Sequence, residues 1–281
     1  MRDMRDTLRS TFRRALGLEN RRAAPRQGKL DSIPGFESKI LGNTRDVTVY
    51  LPPGYDDRDD RRYPVLYMHD GQNLFEPHRA FIPGQHWRFR EAADEAIGAR
   101  TMSPVIIVGV DNTGPSRIDE YTPTHDPAKN GGGRADDYAR MLLEELKPLI
   151  DSRYRTLGDS ANTAVGGSSL GGLLSMYLVA KYPHAFSRAA VMSPSVWWHD
   201  RSILREIDEF AGPQRPRIWL DIGGKEGADA VAGVQALRDR LRAKGWNDES
   251  LAFLEDRRAD HSERAWAARV RKVLEFLFPP T

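Results

Sequence analysis

The sequence predicts an α/β fold, a mostly parallel eight-stranded sheet flanked by helices, and three observations lead to this prediction. Eight segments have the composition of strands, and helical patterns separate the later ones. Two of the strand segments, residues 63–69 and 104–110, are largely apolar, as expected of parallel strands that are buried on both faces. The chain has 281 residues, of which 40% are hydrophobic, and this is enough for one large domain.

The predicted elements begin with an antiparallel hairpin and continue as an alternation of strands and helices. Residues 36–41 and 45–51 form the hairpin around Gly42 and Asn43. After the two apolar strands, further strands are predicted in NTAVGG, SRAAVMS, RIWLDIG and LAFLED. Helices are predicted at about 87–100, 136–150, 170–182, 226–243 and 261–277. Such an alternation favours an α/β sheet.

Two connections in this scheme are long. One covers residues 70–87 and the other residues 111–135, and each follows a predicted strand at its carboxyl end. Open α/β sheets bind their ligands at that edge, and long loops in a compact domain tend to be functional. We therefore expect the functional site there.

The first thirty residues differ in composition from the rest. Up to Lys29 they hold nine basic and three acidic residues, and Leu8, Phe12 and Leu16 recur every four positions, as in a short amphipathic helix. We divide the chain into a basic arm over residues 1–30 and a single α/β domain over 31–281. The arm either contacts a membrane surface or partner, or docks on the domain or frays in solvent.

Composition also excludes several classes of function. Forty-two Lys and Arg residues balance 40 Asp and Glu residues, a net charge of +2, so no global charge favours nucleic acid. The absence of cysteine excludes disulfides, thiol catalysis and Cys-based metal sites. There is no run of about 18 apolar residues and no secretory signal pattern. A cytoplasmic location is expected, and the oligomeric state is left open.

A crowded cluster of small residues suggests the chemistry. Residues 167–171 read G-S-S-L-G, between a predicted strand and a predicted helix. In a G-x-S-x-G nucleophile elbow the central serine occupies a strained turn, and glycine two positions to either side avoids a collision. The pattern centres on Ser169, with Ser168 as its strand-side neighbour. The sequence therefore predicts Ser169 as a nucleophile.

A serine nucleophile needs a base, an acid that orients the base, and donors for the oxyanion. In α/β hydrolases the order along the chain is serine, acid, histidine. Of the histidines after Ser169, His184 ends the elbow helix and His199 follows a tryptophan pair. His261 comes after the last predicted strand, which is where the base belongs. We predict His261.

The acid is expected after the penultimate strand, RIWLDIG. Asp221, Glu226 and Asp229 are the candidates. Asp221 still lies within the strand, whereas Glu226 follows a glycine turn and can reach over the sheet edge. Glu226 is preferred, and Asp221 remains the alternative.

Two backbone amides are predicted to form the oxyanion hole. Leu170 supplies one at the start of the elbow helix, and Gln72 supplies the other, from the loop after the strand at 63–69. Gly71 is expected to permit a tight turn there, and Asp70 to hold the loop. The combination of elbow, acid, base and glycine turn favours a catalytic triad over a chance motif.

Several segments together resemble a known family. They are RDVTVYLPPGY, YPVLYMHDGQNLF, VGGSSLGGLLSMYLVAKYPHAF, VMSPSVWW, LDIGGKEG and HSERAW. In this order, over roughly residues 35–280, they resemble the esterases of the α/β-hydrolase superfamily known as the putative esterase family. That family includes enterochelin and related siderophore esterases, feruloyl esterases and mycobacterial mycolyltransferases. We expect neither the extra N-terminal domain of cytoplasmic enterochelin esterases nor the long apolar lid of a lipase.

The resemblance implies an α/β-hydrolase fold and a serine carboxylic-ester hydrolase. It places the family's nucleophile on Ser169, its acid on Glu226, its base on His261 and its oxyanion amides on Gln72 and Leu170. The expected partner is a small or polar ester, such as a siderophore or aryl ester, and no nucleic acid. The alternatives are an acyltransferase with the same triad and a non-catalytic interaction protein.

The substrate pocket is predicted from residues near the same edge. Trp87, Trp197 and Trp198 could stack on a planar or sugar-like substrate, or pack within loops. Arg117 could pair with an anionic substrate group, or bridge the neighbouring Asp119 or Glu120.

No metal or cofactor is expected. His69 beside Asp70, and His125 beside Asp126, lack the spacing of a zinc site, so we interpret them as loop hydrogen-bonding residues.

Overall fold

The computed structural model describes residues 26–58 and 60–280. Eight strands form one sheet in the order β1-β2-β4-β3-β7-β8-β9-β10. β1 pairs with β2 and β2 with β4 in antiparallel fashion, and all later pairs are parallel. The strands are β1 Lys29–Ser38, β2 Asn43–Leu51, β3 Val65–His69, β4 Ile106–Val110, β7 Thr163–Ser168, β8 Arg188–Met192, β9 Arg217–Gly223 and β10 Leu251–Asp256.

A separate two-stranded ribbon, β5 His125–Asp126 with β6 Gly131–Gly132, lies in the long connection after β4. The helices are α1 Phe89–Gly98, α2 Arg117–Tyr121, α3 Ala135–Arg140, α4 Lys147–Arg153, α5 Leu170–Lys181, α6 Trp198–Glu209, α7 Ala228–Ala243, α8 Glu263–Ala267 and α9 Val270–Leu277. A π-helical turn, Met141–Leu146, joins α3 to α4. None of the helices described is long and apolar enough to cross a membrane.

The predicted fold class is confirmed, and the sheet is buried on both faces. Alternate side chains of β3 belong to different apolar clusters, Val65 and Tyr67 to one and Leu66 and Met68 to the other. This explains why the central strands are apolar without alternation. The helix after the elbow, α5, is buried from Leu170 to Val179, so it packs with every face inside the molecule.

The hairpin differs from its prediction at the first strand. β1 covers residues 29–38 rather than 36–41, and Gly42 N–H closes the turn by donating to the Ser38 carbonyl at 2.9 Å. The early half of β1 was missed because Pro34 and Gly35 suggest a loop. The strand accommodates them at the sheet edge, where the pairing register shifts between Ile33 and Phe36.

The domain boundary predicted at residue 31 falls inside β1. The sheet begins at Lys29, while residues 1–25 of the predicted basic arm lie outside the described residues.

Two helices were not predicted. α2 is only five residues long, too short to show a helical period. In α6 the apolar Ile203, Leu204 and Ile207 do recur at helical spacing, but they follow an irregular start in which His199, Asp200 and Arg201 have positive φ. Conversely, the helix predicted over 261–277 is divided into α8 and α9.

Candidate active site

Ser169 occupies the sharp turn between β7 and α5. Its backbone has φ 58° and ψ −121°, a strained conformation for a residue with a side chain. A Cβ added to Gly167 would lie 2.8 Å from the backbone carbon of Gly171, so glycine at 167 allows the two backbones to approach. Ser168 is buried, while Ser169 is half-buried, so the second hydroxyl is the more accessible one at the carboxyl edge of the sheet.

His261 reaches this hydroxyl from the loop between β10 and α8. Its Nε2 lies 3.0 Å from Ser169 Oγ, and its Nδ1 lies 2.6 Å from Glu226 Oε2. A carboxylate only accepts hydrogen bonds, so Nδ1 carries the proton and Nε2 is left to accept from the serine. The Trp266 ring packs edge-on against the imidazole at 4.9 Å.

Glu226 stands in the turn between β9 and α7, with its side chain almost fully buried. Its Oε1 accepts from the Ser193 hydroxyl at 2.6 Å and from the Gly223 amide at 2.8 Å. Burial acts to raise the pKa of Glu226, but the hydrogen bonds from His261, Ser193 and Gly223 outweigh it and lower this pKa.

The alternative acid, Asp221, is fully buried within β9 and contacts other groups. It accepts from the Ser193 amide at 3.0 Å and from Trp219 Nε1 at 2.7 Å, and it forms an ion pair with Arg269 at 3.4 Å. Burial raises the pKa of Asp221, and Arg269 opposes this effect. The structure brings Glu226, not Asp221, to the imidazole. The third candidate, Asp229, is exposed.

The other two histidines after the elbow lie elsewhere. His184 is exposed, with its ring 6.1 Å from that of Tyr182, and His199 lies at the start of α6.

The predicted second oxyanion donor, Gln72, lies in a tight turn after β3. Asp70, with φ 58°, makes the reversal, so the expectation that Gly71 permits the turn needs correction. A Cβ at Gly71 would lie 2.4 Å from the carbonyl carbon of Gly109 in β4, and glycine is required for close packing. The Gln72 side chain accepts from the Asn112 amide at 3.2 Å.

Asp70 holds this turn, and Arg117 is its main partner. The guanidinium Nε and Nη2 donate to the two carboxylate oxygens at 2.7 and 2.8 Å, and Asn112 Nδ2 adds a third bond at 2.7 Å. Asp119 and Glu120 had been considered as partners of Arg117. The structure pairs Arg117 with Asp70 instead. Glu120 is fully buried and pairs with Arg45 at 3.0 Å.

The three predicted tryptophans differ in exposure. Trp198 is buried and its Nε1 donates to the Thr124 carbonyl at 2.9 Å, so it packs under the long loop. Trp87 is also buried, but it lines a cavity beside Ser169. Trp197 is 51% exposed and lines a second cavity beside His261.

Two cavities therefore flank the serine–histidine pair. The serine-side cavity, of about 400 Å³, is lined by Ser169, Gln72, Trp87, Phe81, Arg117 and Trp266 among others. The histidine-side cavity, of about 570 Å³, is lined by His261, Glu226, Ser195, Trp197 and Arg201 among others. An ester bond at Ser169 would have room on both sides.

In the part of the chain that the structure describes, no three His, Asp or Glu side chains are grouped to hold a metal ion. His69 is buried and bonds the Tyr138 hydroxyl at 3.2 Å, while His125 is exposed in β5.

Sequence reasoning missed residues that lie beside Glu226 and Ser169. Ser193 receives hydrogen bonds from Trp266 and Arg269, and Ser195 Oγ lies 3.4 Å from Ser169 Oγ. A sequence signal for the two serines exists, because both belong to the S-P-S segment after β8, within the family motif VMSPSVWW. Arg269 gave no signal, because a lone arginine in a helical pattern suggests a solvated face.

Comparisons with known proteins agree with this architecture. Residues 38–277 match the family described as "Putative esterase". The chain is 25% identical over 258 residues to the uncharacterized protein YbbA of Bacillus subtilis (strain 168), covering 88% of this chain and 97% of that one. It is 29% identical over 221 residues to the iron(III) salmochelin esterase of Escherichia coli O6:H1, covering 73% of this chain but only 48% of that one.

Solved structures share the fold. The BES protein from Bacillus cereus has a TM-score of 0.72 at 24% identity, over 92% of this chain and 98% of that one. The enterobactin esterase from Shigella flexneri has a TM-score of 0.68 at 19% identity, over 91% of this chain and 61% of that one.

Proposed function

Because the chain belongs to the "Putative esterase" family and is a carboxylic ester hydrolase, we propose that it works through an acyl-enzyme on Ser169. The observation that carries this proposal is the hydrogen-bonded series from Glu226 through His261 to Ser169, with separations of 2.6 and 3.0 Å. Both lie within the reach required of an activated nucleophile.

The reaction begins when Ser169 Oγ attacks the ester carbonyl and its proton passes to His261 Nε2. The carbonyl π electrons move to oxygen and give a tetrahedral oxyanion. When the carbon–oxygen bond to the alcohol breaks, His261 returns the proton to the departing alkoxide. Water then repeats both steps on the acyl-enzyme and releases the acid. Glu226 keeps the proton on Nδ1 and stabilises the imidazolium while it exists.

The oxyanion is received by the backbone amides of Leu170 and Gln72. Leu170 is the first residue of α5, so its amide points from the positive end of a 12-residue helix. The turn that carries Gln72 is held by the buried Asp70–Arg117 pair. Fixed donors of this kind commonly contribute about 3 kcal/mol each to transition-state stabilisation.

The substrate we propose is a small or polar ester, such as a siderophore or aryl ester. The two cavities leave room for a group on each side of the carbonyl, and the exposed Trp197 ring offers a stacking surface in one of them. The named relative that hydrolyses iron(III) salmochelin supports this class. The expected cytoplasmic location stays a prediction.

A fluorophosphonate probe followed by peptide mapping tests the nucleophile. We expect a single adduct on Ser169 and none on the folded Ser169→Ala variant, because only a hydroxyl with a working base attacks phosphorus. An adduct on Ser168, or no adduct on folded protein, would contradict the proposal. A panel of acetyl, aryl and siderophore esters then gives the substrate. Adding an acceptor alcohol would reveal acyl transfer.

A further inference from the structure

The hydroxyl of Ser193 lies at the centre of a buried hydrogen-bond network behind the proposed triad. It is 2.6 Å from Glu226 Oε1, 3.0 Å from Arg269 Nη2 and 3.2 Å from Trp266 Nε1. Ser193, Trp266 and Arg269 are all at least 95% buried. Because these groups are buried, they depend on one another as hydrogen-bond partners. Which group donates in each bond therefore determines the charge and orientation of Glu226.

The direction of each bond follows from what the partners can do. An indole N–H and a guanidinium N–H only donate, so Trp266 and Arg269 occupy the two lone pairs of Ser193 Oγ. The Ser193 proton is therefore left to donate to Glu226. Glu226 Oε1 receives a second donor from the Gly223 amide. Both bonds favour the ionised form of Glu226, because they stabilise its negative charge, and they leave Oε2 to accept the His261 Nδ1 proton.

The network is anchored on β9. Asp221 accepts from the Ser193 amide at 3.0 Å and balances the charge of Arg269 at 3.4 Å. Ser193 has φ 40°, an uncommon conformation for a serine. The strained backbone and the buried ion pair together place one hydroxyl against the acid.

We propose that Ser193 is a positioning residue for the triad acid: held by Trp266 and Arg269, its hydroxyl keeps Glu226 ionised and directed at His261. The proposal rests on the proposed function, in which Glu226 is that acid. It assigns Asp221 and Arg269 the task of orienting Ser193.

Other charged groups surround Glu226 and His261, and every variant described below keeps them. They are Asp221 on β9, Arg201 on α6, Arg269 between α8 and α9, Lys225 and Asp229 on either side of Glu226, and Asp260 with Arg264 beside His261. Because the substitutions leave these charges in place, a change in the titration of Glu226 reports the loss of the Ser193 hydroxyl.

The test is the titration of the Glu226 carboxyl carbon by NMR in the full-length protein, with the signal identified by its absence in Glu226→Gln. In Ser193→Ala, loss of a donor to a buried carboxylate is expected to raise the midpoint by about one pH unit. Ser193→Gly, which suits the positive φ, should give the same rise. Ser175→Ala is the matched control, because it removes a buried hydroxyl bonded at 2.7 Å to the Gly171 carbonyl.

The same variants are assayed with an ester substrate. Ser193→Ala should lower kcat about ten- to a hundred-fold, the range for losing one hydrogen bond to a charged group, while KM changes little. The acid limb of the kcat profile should move to higher pH, since a proton on Glu226 Oε2 would take the place of the hydrogen bond that this oxygen accepts from His261 Nδ1.

An unchanged Glu226 midpoint in both Ser193 variants would overturn the proposal, even if their melting temperatures fell, because the hydroxyl would then serve packing alone. This titration needs no substrate. Failure of Ser169 to react with a fluorophosphonate would therefore count against the proposed function and remain distinguishable from a failure of this inference.

Discussion

At the scale of single residues, the backbone at Ser169 determines what its hydroxyl can reach. The conformation at φ 58° costs on the order of 1–3 kcal/mol. The turn can adopt this conformation because Gly167, which has no side chain, packs directly on the backbone of Gly171. In return the hydroxyl stands clear of the sheet, 3.0 Å from His261 Nε2.

Replacing the acid with its amide tests the triad at this scale. Glu226→Gln keeps the size of the side chain, but its amide nitrogen cannot accept the Nδ1 proton, which favours the unproductive imidazole tautomer. We expect kcat to fall by about 10³- to 10⁴-fold with little change in KM. Steady-state kinetics on an aryl ester measures this.

Glu255→Gln provides the matched control, because Glu255 lies on β10 and accepts from Gln235 at 2.9 Å, away from the imidazole. Its kcat should equal that of the wild type. Nearly full activity in Glu226→Gln would show that another group orients His261.

At the scale of elements, the turn after β3 depends on the strand beside it. Gly71 rests against Gly109 of β4, so the position of the Gln72 amide is determined by sheet packing as much as by the turn itself. The bidentate Asp70–Arg117 pair ties the same turn to α2. Two elements therefore hold one proposed oxyanion donor.

Gly71→Ala should displace that turn. The added Cβ would lie 2.4 Å from the Gly109 carbonyl carbon, and since backbone cannot swing aside, the Gln72 amide must move. Loss of one oxyanion donor is expected to lower kcat by about 10²- to 10³-fold, measured together with thermal unfolding.

Gly98→Ala is the matched substitution, since an added Cβ there meets no atom within 4 Å. It should leave both kcat and stability close to wild type. Equal kcat in the two variants would remove the turn from the mechanism.

At the scale of the whole molecule, the parallel sheet gathers distant segments at one edge. β3, β7, β8 and β9 all end there, and the loops that follow them supply the turn at Gln72, the elbow, Ser193 and Glu226. Burial beneath this edge also shifts the pKa values of ionisable side chains. Burial lowers the pKa of His69, at the end of β3, to about 3; Arg117 adds to this effect and Asp70 opposes it.

This burial predicts a pH dependence of folding stability. Between about pH 6.5 and 3 the unfolded chain binds a proton at His69 that the folded chain does not. The free energy of unfolding therefore falls as the pH is lowered, by at most about 1.4 kcal/mol per pH unit from this group. Asp111 acts in the opposite direction, because burial raises its pKa to about 6.

His69→Phe should remove the contribution of His69, so urea unfolding between pH 6.5 and 4 should show a smaller loss of stability on acidification than in the wild type. His125→Phe, at an exposed position, should keep the wild-type slope. Identical slopes in all three proteins would mean that His69 is protonated in the folded state.

The sequence by itself determined the features that depend on neighbouring residues. The apolar runs gave the buried parallel strands, and G-S-S-L-G marked the elbow. The order of residues after it predicted His261 and favoured Glu226, with Asp221 as the alternative; the structure places His261 beside both Ser169 and Glu226. These are local patterns, or follow from the order in which strands enter a sheet.

Only the tertiary structure decided which groups meet across long separations. It directed Glu226 rather than Asp221 to the imidazole, paired Arg117 with Asp70, and packed Trp198 beneath the long loop, the second of the two roles considered for it. It also placed Ser193 and Arg269 behind the acid. Such contacts depend on how strands and loops pack side by side, and burial then selects the partner that each charge must have.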